Sequence, residues 1–207
     1  MDKMRKARGV AGGHRARGGF LREITDAVRG GLERLSAELD DEDSLNALDL
    51  LKAQHRYVER LFAQIEGATS GDYKLRLFGD LADMLAVHAT IEEKIFYPSV
   101  KTGVTADLLR ESAKDHLNMK RLLVELMATE VDDDSFDQKI LMLKDMVQHH
   151  AEDEEERRLF PIVRKTMDSG LLEALGGEMI ALMVELQQNG EPPRAAISNE
   201  TDAPAAI

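Results

Sequence analysis

The sequence predicts an all-α protein, an up-down-up-down four-helix bundle with additional N- and C-terminal helices. Three observations predict it. Apolar residues recur at helical spacing through almost every patterned segment, strand-like alternation between Gly or Asn turns is absent, and four long periodic segments are joined by short connections. Short connections force sequential helices to be antiparallel.

At 207 residues the chain suits one well-cored domain with extra segments. Residues 1–19 read as a basic, flexible N-terminus carrying Lys3, Arg5, Lys6, Arg8, Arg15 and Arg17, with His14 exposed to solvent. Residues 20–43 read as an extra helix over 20–39, interrupted by Gly30 and Gly31, followed by the acidic linker Asp40-Asp41-Glu42-Asp43. The bundle is expected over residues 44–168. Ser44 suits the cap of its first helix, whose stripe is Leu48, Leu51, Val58, Phe62 and Ile65 with His55 in the gap. The turn Ser70-Gly71-Asp72 leads to the second helix, with Leu77, Leu81, Met84, Leu85, Ile91 and Ile95 on a broad face that also holds His88 and Glu92. Gly103 suits a C-cap and Thr105 an N-cap, and the third helix carries Leu108, Leu109, Ser112, Met119, Leu122, Leu123 and Leu126 together with His116. Ser135-Phe136-Asp137-Gln138 has the form of a capping box opening the fourth helix, where Phe136, Ile140, Leu143 and Val147 are continued by His150 and Glu154. A C-terminal helix is expected within residues 169–190, closing at Asn189-Gly190, and residues 191–207 are expected to be disordered. Met84, Met119, Met142 and Met146 read as gap-filling core residues.

Composition removes whole classes of function. The chain has no cysteine, so disulfides, iron–sulfur clusters, zinc thiolates and thiol catalysis fall together, and any metal must be held by nitrogen and oxygen. A formal charge of −12 argues against a nucleic-acid binder, which needs a basic footprint. No apolar run approaches the roughly 20 residues that span a bilayer, and the basic start is not followed by the apolar stretch of a secretory signal. A cytoplasmic protein is expected, free of membrane partners, with self-association left open.

The central observation is the distribution of histidines. Four of the six, His55, His88, His116 and His150, sit one per bundle helix on the apolar stripe. Each buried imidazole needs partners and each buried glutamate needs compensating positive charge, so four such coincidences are costly unless they serve one centre. Glu92 follows His88 by four residues and Glu154 follows His150 by four, which places each carboxylate one turn, about 6 Å, beyond its histidine on the same face. A pair of metal ions roughly 3.5–4 Å apart, bridged by Glu92 and Glu154, would satisfy both the charge and the lone pairs. Nitrogen and oxygen ligation with paired carboxylates suits iron, with zinc or manganese as substitutes.

The pattern also repeats. His88 follows His55 by 33 residues and His150 follows His116 by 34, and both halves read His-x-x-x-Glu-Glu before an aromatic residue and a proline: Phe96-Tyr97-Pro98 and Leu159-Phe160-Pro161. Over residues 44–168 the chain resembles the hemerythrin-like HHE cation-binding family in these motifs. The resemblance implies metal ligands at His55, His88, Glu92, His116, His150 and Glu154. It further implies a non-haem, carboxylate-bridged centre of two iron ions, open to dioxygen, peroxide or nitric oxide. Such a protein would bind or sense a small ligand or handle iron, the alternative being an enzyme that reduces peroxide or nitric oxide.

Two departures bear on that expectation. Oxygen-carrying hemerythrins place a second histidine where this chain has Lys120, which leaves one iron less fully ligated. The fourth helix also has one more residue between Glu154 and its proline than the second has after Glu92, which a π-bulge would absorb and which makes Glu155 an alternative ligand. His150 is preferred to His149, which falls on another face. Asp115 is a candidate partner for an imidazole N–H, and Tyr97 and Phe160 read as packing at the end of the core.

Overall fold

The computed structural model describes residues 46–188 and 190–207. The basic stretch, His14, the helix expected over 20–39, the acidic linker and Ser44 lie outside the described residues. Helix α1 (Ala47–Gly67) opens at Asn46, whose side-chain oxygen accepts the N–H groups of Leu48 and Asp49 at 3.0 and 3.2 Å. Helix α2 (Gly71–Ile91) runs through a π-helical turn (Glu92–Phe96) into the short α3 (Tyr97–Val100), so the three form one continuous rod. Helix α4 (Ala106–Met127) is the third member of the bundle. Helix α5 (Asp134–Gln148), a longer π-helical segment (His149–Leu159) and α6 (Phe160–Thr166) make the fourth.

Long-range ion pairs fix the directions. Glu66 meets Lys144 at 2.6 Å and His55 meets Glu156 at 2.7 Å, so numbering rises along α1 as it falls along the fourth rod, and the two are antiparallel. Lys74 and Asp137, 2.8 Å apart, join the starts of the second and fourth rods, which run parallel. The expected apolar stripes are the buried faces, and they merge into one core in which Phe78 meets Phe136 edge-on at 5.5 Å. Met84 and Met119 are buried as expected, whereas Met142 is 57% exposed and lies outside the core.

Local caps differ from expectation: Asn46 rather than Ser44 caps α1, and Lys101 rather than Gly103 is the C-cap of α3. Asp133, not Ser135, caps α5: its carboxylate accepts the Ser135 N–H at 2.8 Å, because the acidic run before the helix supplies a stronger acceptor than the hydroxyl. Thr105 stands at the cap position of α4, but its hydroxyl turns back to donate to the Val100 carbonyl at 2.9 Å.

Two further elements cover the bundle. Helix α7 (Ser169–Gln188) buries Leu172, Leu175, Met179, Ile180 and Met183 against α1 and α2, which explains why Leu50 and Gln54 of α1 are buried outside the predicted stripe. Gly190 beyond it takes a φ of 78°, the left-handed conformation that suits glycine after a helix. The expectation of a disordered tail is corrected. A single turn, α8 (Arg194–Ile197), packs on α2 and α4 with Ile197 1% exposed, since one apolar side chain plus several charged anchors suffice to seat it. Among the described residues no helix is long and apolar enough to cross a membrane.

Phe136→Ala should cost about 3–5 kcal/mol of stability in a denaturant titration, the range for emptying an aromatic core site. Leu141→Ala, five residues on at a half-exposed position, should stay within about 0.5 kcal/mol.

Candidate metal centre

Four imidazoles converge inside the bundle. His55 on α1, His88 on α2, His116 on α4 and His150 on the second π-helical segment are all buried. Ring centres lie 5.0 Å apart for His55 and His88, and 4.6 Å for His116 and His150. Ligand atoms of His88, Glu92, His116 and His150 lie within 4.8 Å of one another, and so do those of His55, His88, Glu92 and Glu155. The two sets share His88 and Glu92 and therefore form one continuous cluster.

Glu154 is not in it. Its carboxylate faces His150 Nδ1 at 3.9 Å and groups with Asp115, while Glu155 is fully buried with Oε2 at 3.3 Å from His55 Nε2 and 3.8 Å from His150 Nε2. The π-helical backbone explains the exchange. A π turn closes i to i+5, so a residue five positions after a histidine comes back to the histidine's face, where an α-helix would return one four positions on. The Tyr97 N–H bonds to the Glu92 carbonyl and the Phe160 N–H to the Glu155 carbonyl, so Glu92 and Glu155 occupy matching places in the two halves. Counted back from the prolines, Glu92 and Glu155 both precede by six residues. Five of the six predicted residues thus lie in these two sets together with Glu155, and Glu154 forms a third set with His150 and Asp115.

The second ring nitrogen of three histidines is tied to an oxygen acceptor. His88 Nδ1 meets Gln54 Oε1 at 2.8 Å, His116 Nδ1 meets Glu93 Oε1 at 2.9 Å, and His55 Nδ1 meets Glu156 Oε1 at 2.7 Å. Each Nδ1–H must donate there, so the Nε2 lone pairs point inward, the arrangement that carboxylates and carbonyls impose on metal-binding histidines. Inside, His88 Nε2 and His116 Nε2 each stand 3.2 Å from Glu92 Oε2, and His116 Nε2 stands 3.1 Å from His150 Nε2. Lone pairs facing a carboxylate at that range need a cation between them. His55 Nε2, Glu92 Oε1, His150 Nδ1, Glu154 Oε2 and Glu155 Oε2 are buried without a hydrogen-bond partner, so the donor set is unsatisfied as hydrogen-bonding groups and fits metal ions.

Charge follows the same logic. Burial alone would depress His55 and His150, but the carboxylates of Glu155 and Glu156 raise the first to about 9, and those of Glu155, Glu154 and Glu92 raise the second to about 10. Burial alone would raise Glu92, yet His88, His116 and His150 hold it well below the usual carboxylate range. Burial lowers His88, with the carboxylates of Glu92 and Glu155 offsetting only part. Protons on His55 and His150 supply the positive charge that metal ions would replace.

Five participants lack a clear sequence signal. Tyr97 is more than packing: its hydroxyl is buried between Glu92 Oε2 and Glu155 Oε1, 3.1 Å from each, because the π turn carries position i+5 onto the metal face. Phe160, its counterpart, stacks on His55 with ring centres 6.1 Å apart. Gln54 is fixed from outside by its Nε2 donating to Met183 Sδ on α7 at 3.4 Å. Glu93, not Asp115, is the partner of His116, and with Glu156 it looks in the sequence like part of a solvated acidic run. Lys120 points its ammonium at Glu93 and Glu200, 2.8 Å from each, and these carboxylates overcome burial and raise its pKa; a cation cannot act as the missing histidine. His149 is exposed and pairs with Asp153. Beside the histidines lies a cavity of about 20 Å³, also lined by Val58, Leu85, Met119, Leu123 and Ile197.

Comparison with known proteins agrees with this geometry. The family model described as the hemerythrin HHE cation-binding domain matches residues 46–163. The crystal structure of a hemerythrin HHE cation-binding domain-containing protein from Mycobacterium kansasii superposes with a TM-score of 0.62 at 25% identity, covering 73% of this chain and 98% of that one. A curated protein of Nostoc sp., named DNA nickase, is 26% identical over 170 residues, which are 82% of this chain and 48% of that protein, so the chain spans about half the length of this relative.

A pH dependence follows. Because His55 and His150 are raised in the folded state, their protons stabilise the metal-free fold fully below about pH 6.5, and that contribution is lost as pH rises through 9 to 10. The melting temperature of metal-free protein should therefore fall between pH 7 and 10. Divalent metal should flatten the decline, and equal slopes with and without metal would contradict the assignment.

Proposed function

The chain belongs to the hemerythrin HHE cation-binding domain family, and on that premise we propose that it holds two iron ions in the bundle core and binds or senses a small ligand such as dioxygen there. The observation that carries this reading is the inward convergence of Nε2 lone pairs and unpartnered carboxylate oxygens beside a cavity of about 20 Å³. His55, His88, His116 and His150 are the proposed nitrogen ligands. Glu92 belongs to both ligand groups, and Glu92 and Glu155 are the proposed shared carboxylates, with Glu154 outside the first layer. Bound iron would supply reversible ligation and electron transfer.

The chain's own residues do the rest. Gln54, Glu93 and Glu156 hold the imidazoles in the inward-pointing tautomer. The Tyr97 hydroxyl donates to a carboxylate of the pair, restraining its rotation and offering a hydrogen bond at the centre. The small cavity, walled by apolar side chains beside the histidines and Lys120, suits a ligand of two or three atoms. Reduction of peroxide or nitric oxide is the second reading, favoured by Lys120 standing where a further ligand would close the coordination shell. Nickase activity is not carried over from the Nostoc relative, since a DNA backbone calls for a basic footprint and the chain's formal charge is −12.

Glu92→Ala and Glu155→Ala should each lower metal content from about two ions per chain to one or fewer and lower the melting temperature, because metal bound only by the folded state stabilises it. Glu154→Ala should retain its metal in the same elemental analysis. The opposite ranking would move the shared carboxylate to Glu154, and less than one iron per chain after expression in iron-replete medium would defeat the di-iron reading. An optical band in air that disappears reversibly on deoxygenation separates ligand binding from peroxide turnover.

A further inference from the structure

We propose that Ile197 decides what reaches the metal centre and that the Lys120–Glu200 ion pair is the latch holding it in place. The inference rests on the metal-centre reading above. The cavity beside the histidines is walled by residues of the four bundle rods, and among the described residues Ile197 is its one lining residue from outside them. At about 20 Å³ the space suits a molecule of two or three atoms, little more than one water-sized sphere. Removing the Ile197 side chain would widen it.

The way in is therefore through the cover rather than between the rods. The rods share a continuous core, whereas α8 is one turn seated by side-chain anchors. Arg194 pairs with Asp83 and donates to the Gly79 carbonyl at 3.3 Å, Arg121 donates to the carbonyls of Thr201 and Asp202 at 2.9 and 3.4 Å, and Lys120 meets Glu200 at 2.8 Å. The Arg194, Asp83, Arg121 and Glu200 side chains are partly open to water, which competes for such pairs and lets this segment open locally. The latch is also chained to the centre. Glu93 holds the same Lys120 ammonium and accepts the Nδ1–H of His116, so one line of contacts runs from cover to ligand.

Because the chain has no cysteine, Ile197→Cys creates a single thiol whose alkylation rate by a maleimide reports cover opening in the full-length, metal-loaded protein. Its rate should lie at least tenfold below that of Ala196→Cys, which is exposed, and at least tenfold above that of Ala82→Cys, which is fully buried. Adding Glu200→Gln should raise it about fivefold or more. In the cysteine-free chain, Glu200→Gln and Ile197→Ala should accelerate azide binding to the oxidised centre by a similar factor, with metal content and helical circular dichroism unchanged. The proposal is overturned if the Ile197→Cys thiol reacts like the Ala82→Cys control with and without Glu200→Gln, or if faster labelling leaves azide binding unaltered. Should the wild type load no metal, the metal-centre reading fails by itself. Thiol labelling still reads the cover, and carbethoxylation of His116 and His150, expected to speed up in both variants, replaces azide as the access measurement.

Discussion

Two carboxylates, Glu92 and Glu155, are fully excluded from water at the centre of the bundle. An uncompensated charge in such a place costs several kcal/mol, so positive charge must lie among them, as protons on imidazole or as metal ions. Most of the local architecture answers this requirement. Four helices each deliver one histidine, outer carboxylates and Gln54 turn the rings inward, and the Tyr97 hydroxyl stands between the two acids. Even the covering helix α7 contributes, since Met183 holds the far end of Gln54.

The π-helical segments are the backbone's share of the solution. An α-helix presents one carboxylate per turn to a given point and leaves position i+5 pointing elsewhere. Widening the turn brings Tyr97 beside Glu92 and Glu155 beside His150, at the cost of less regular hydrogen bonding. Pro98 and Pro161 each stand two residues beyond the end of their segment. Lacking an N–H, proline loses least where the ladder is already out of step.

Much of this is legible in the sequence. Four apolar stripes at helical spacing, each interrupted by a histidine, identify the bundle and the cluster, because burying an imidazole at every gap is too costly to be incidental. The second fully buried carboxylate is less legible, since counting forward from His150 selects Glu154 and counting back from Pro161 selects Glu155, and the π-helical backbone buries Glu155 beside His55. Gln54 and Glu93 escape notice because their roles depend on helix rotation rather than on spacing. Ile197 escapes because one apolar residue in a polar tail carries no period, and its burial depends on a gap between α2 and α4 that only the assembled fold presents.

The sequence repeat suggests a centre with two like halves, but the pairing of Tyr97 with Phe160 breaks that likeness. On the second rod the aromatic residue offers a hydroxyl to the acids, and on the fourth it lays hydrocarbon along His55. Duplicate scaffolding thus carries a polar pole and an oily pole, and two ions seated between them would be chemically distinct neighbours.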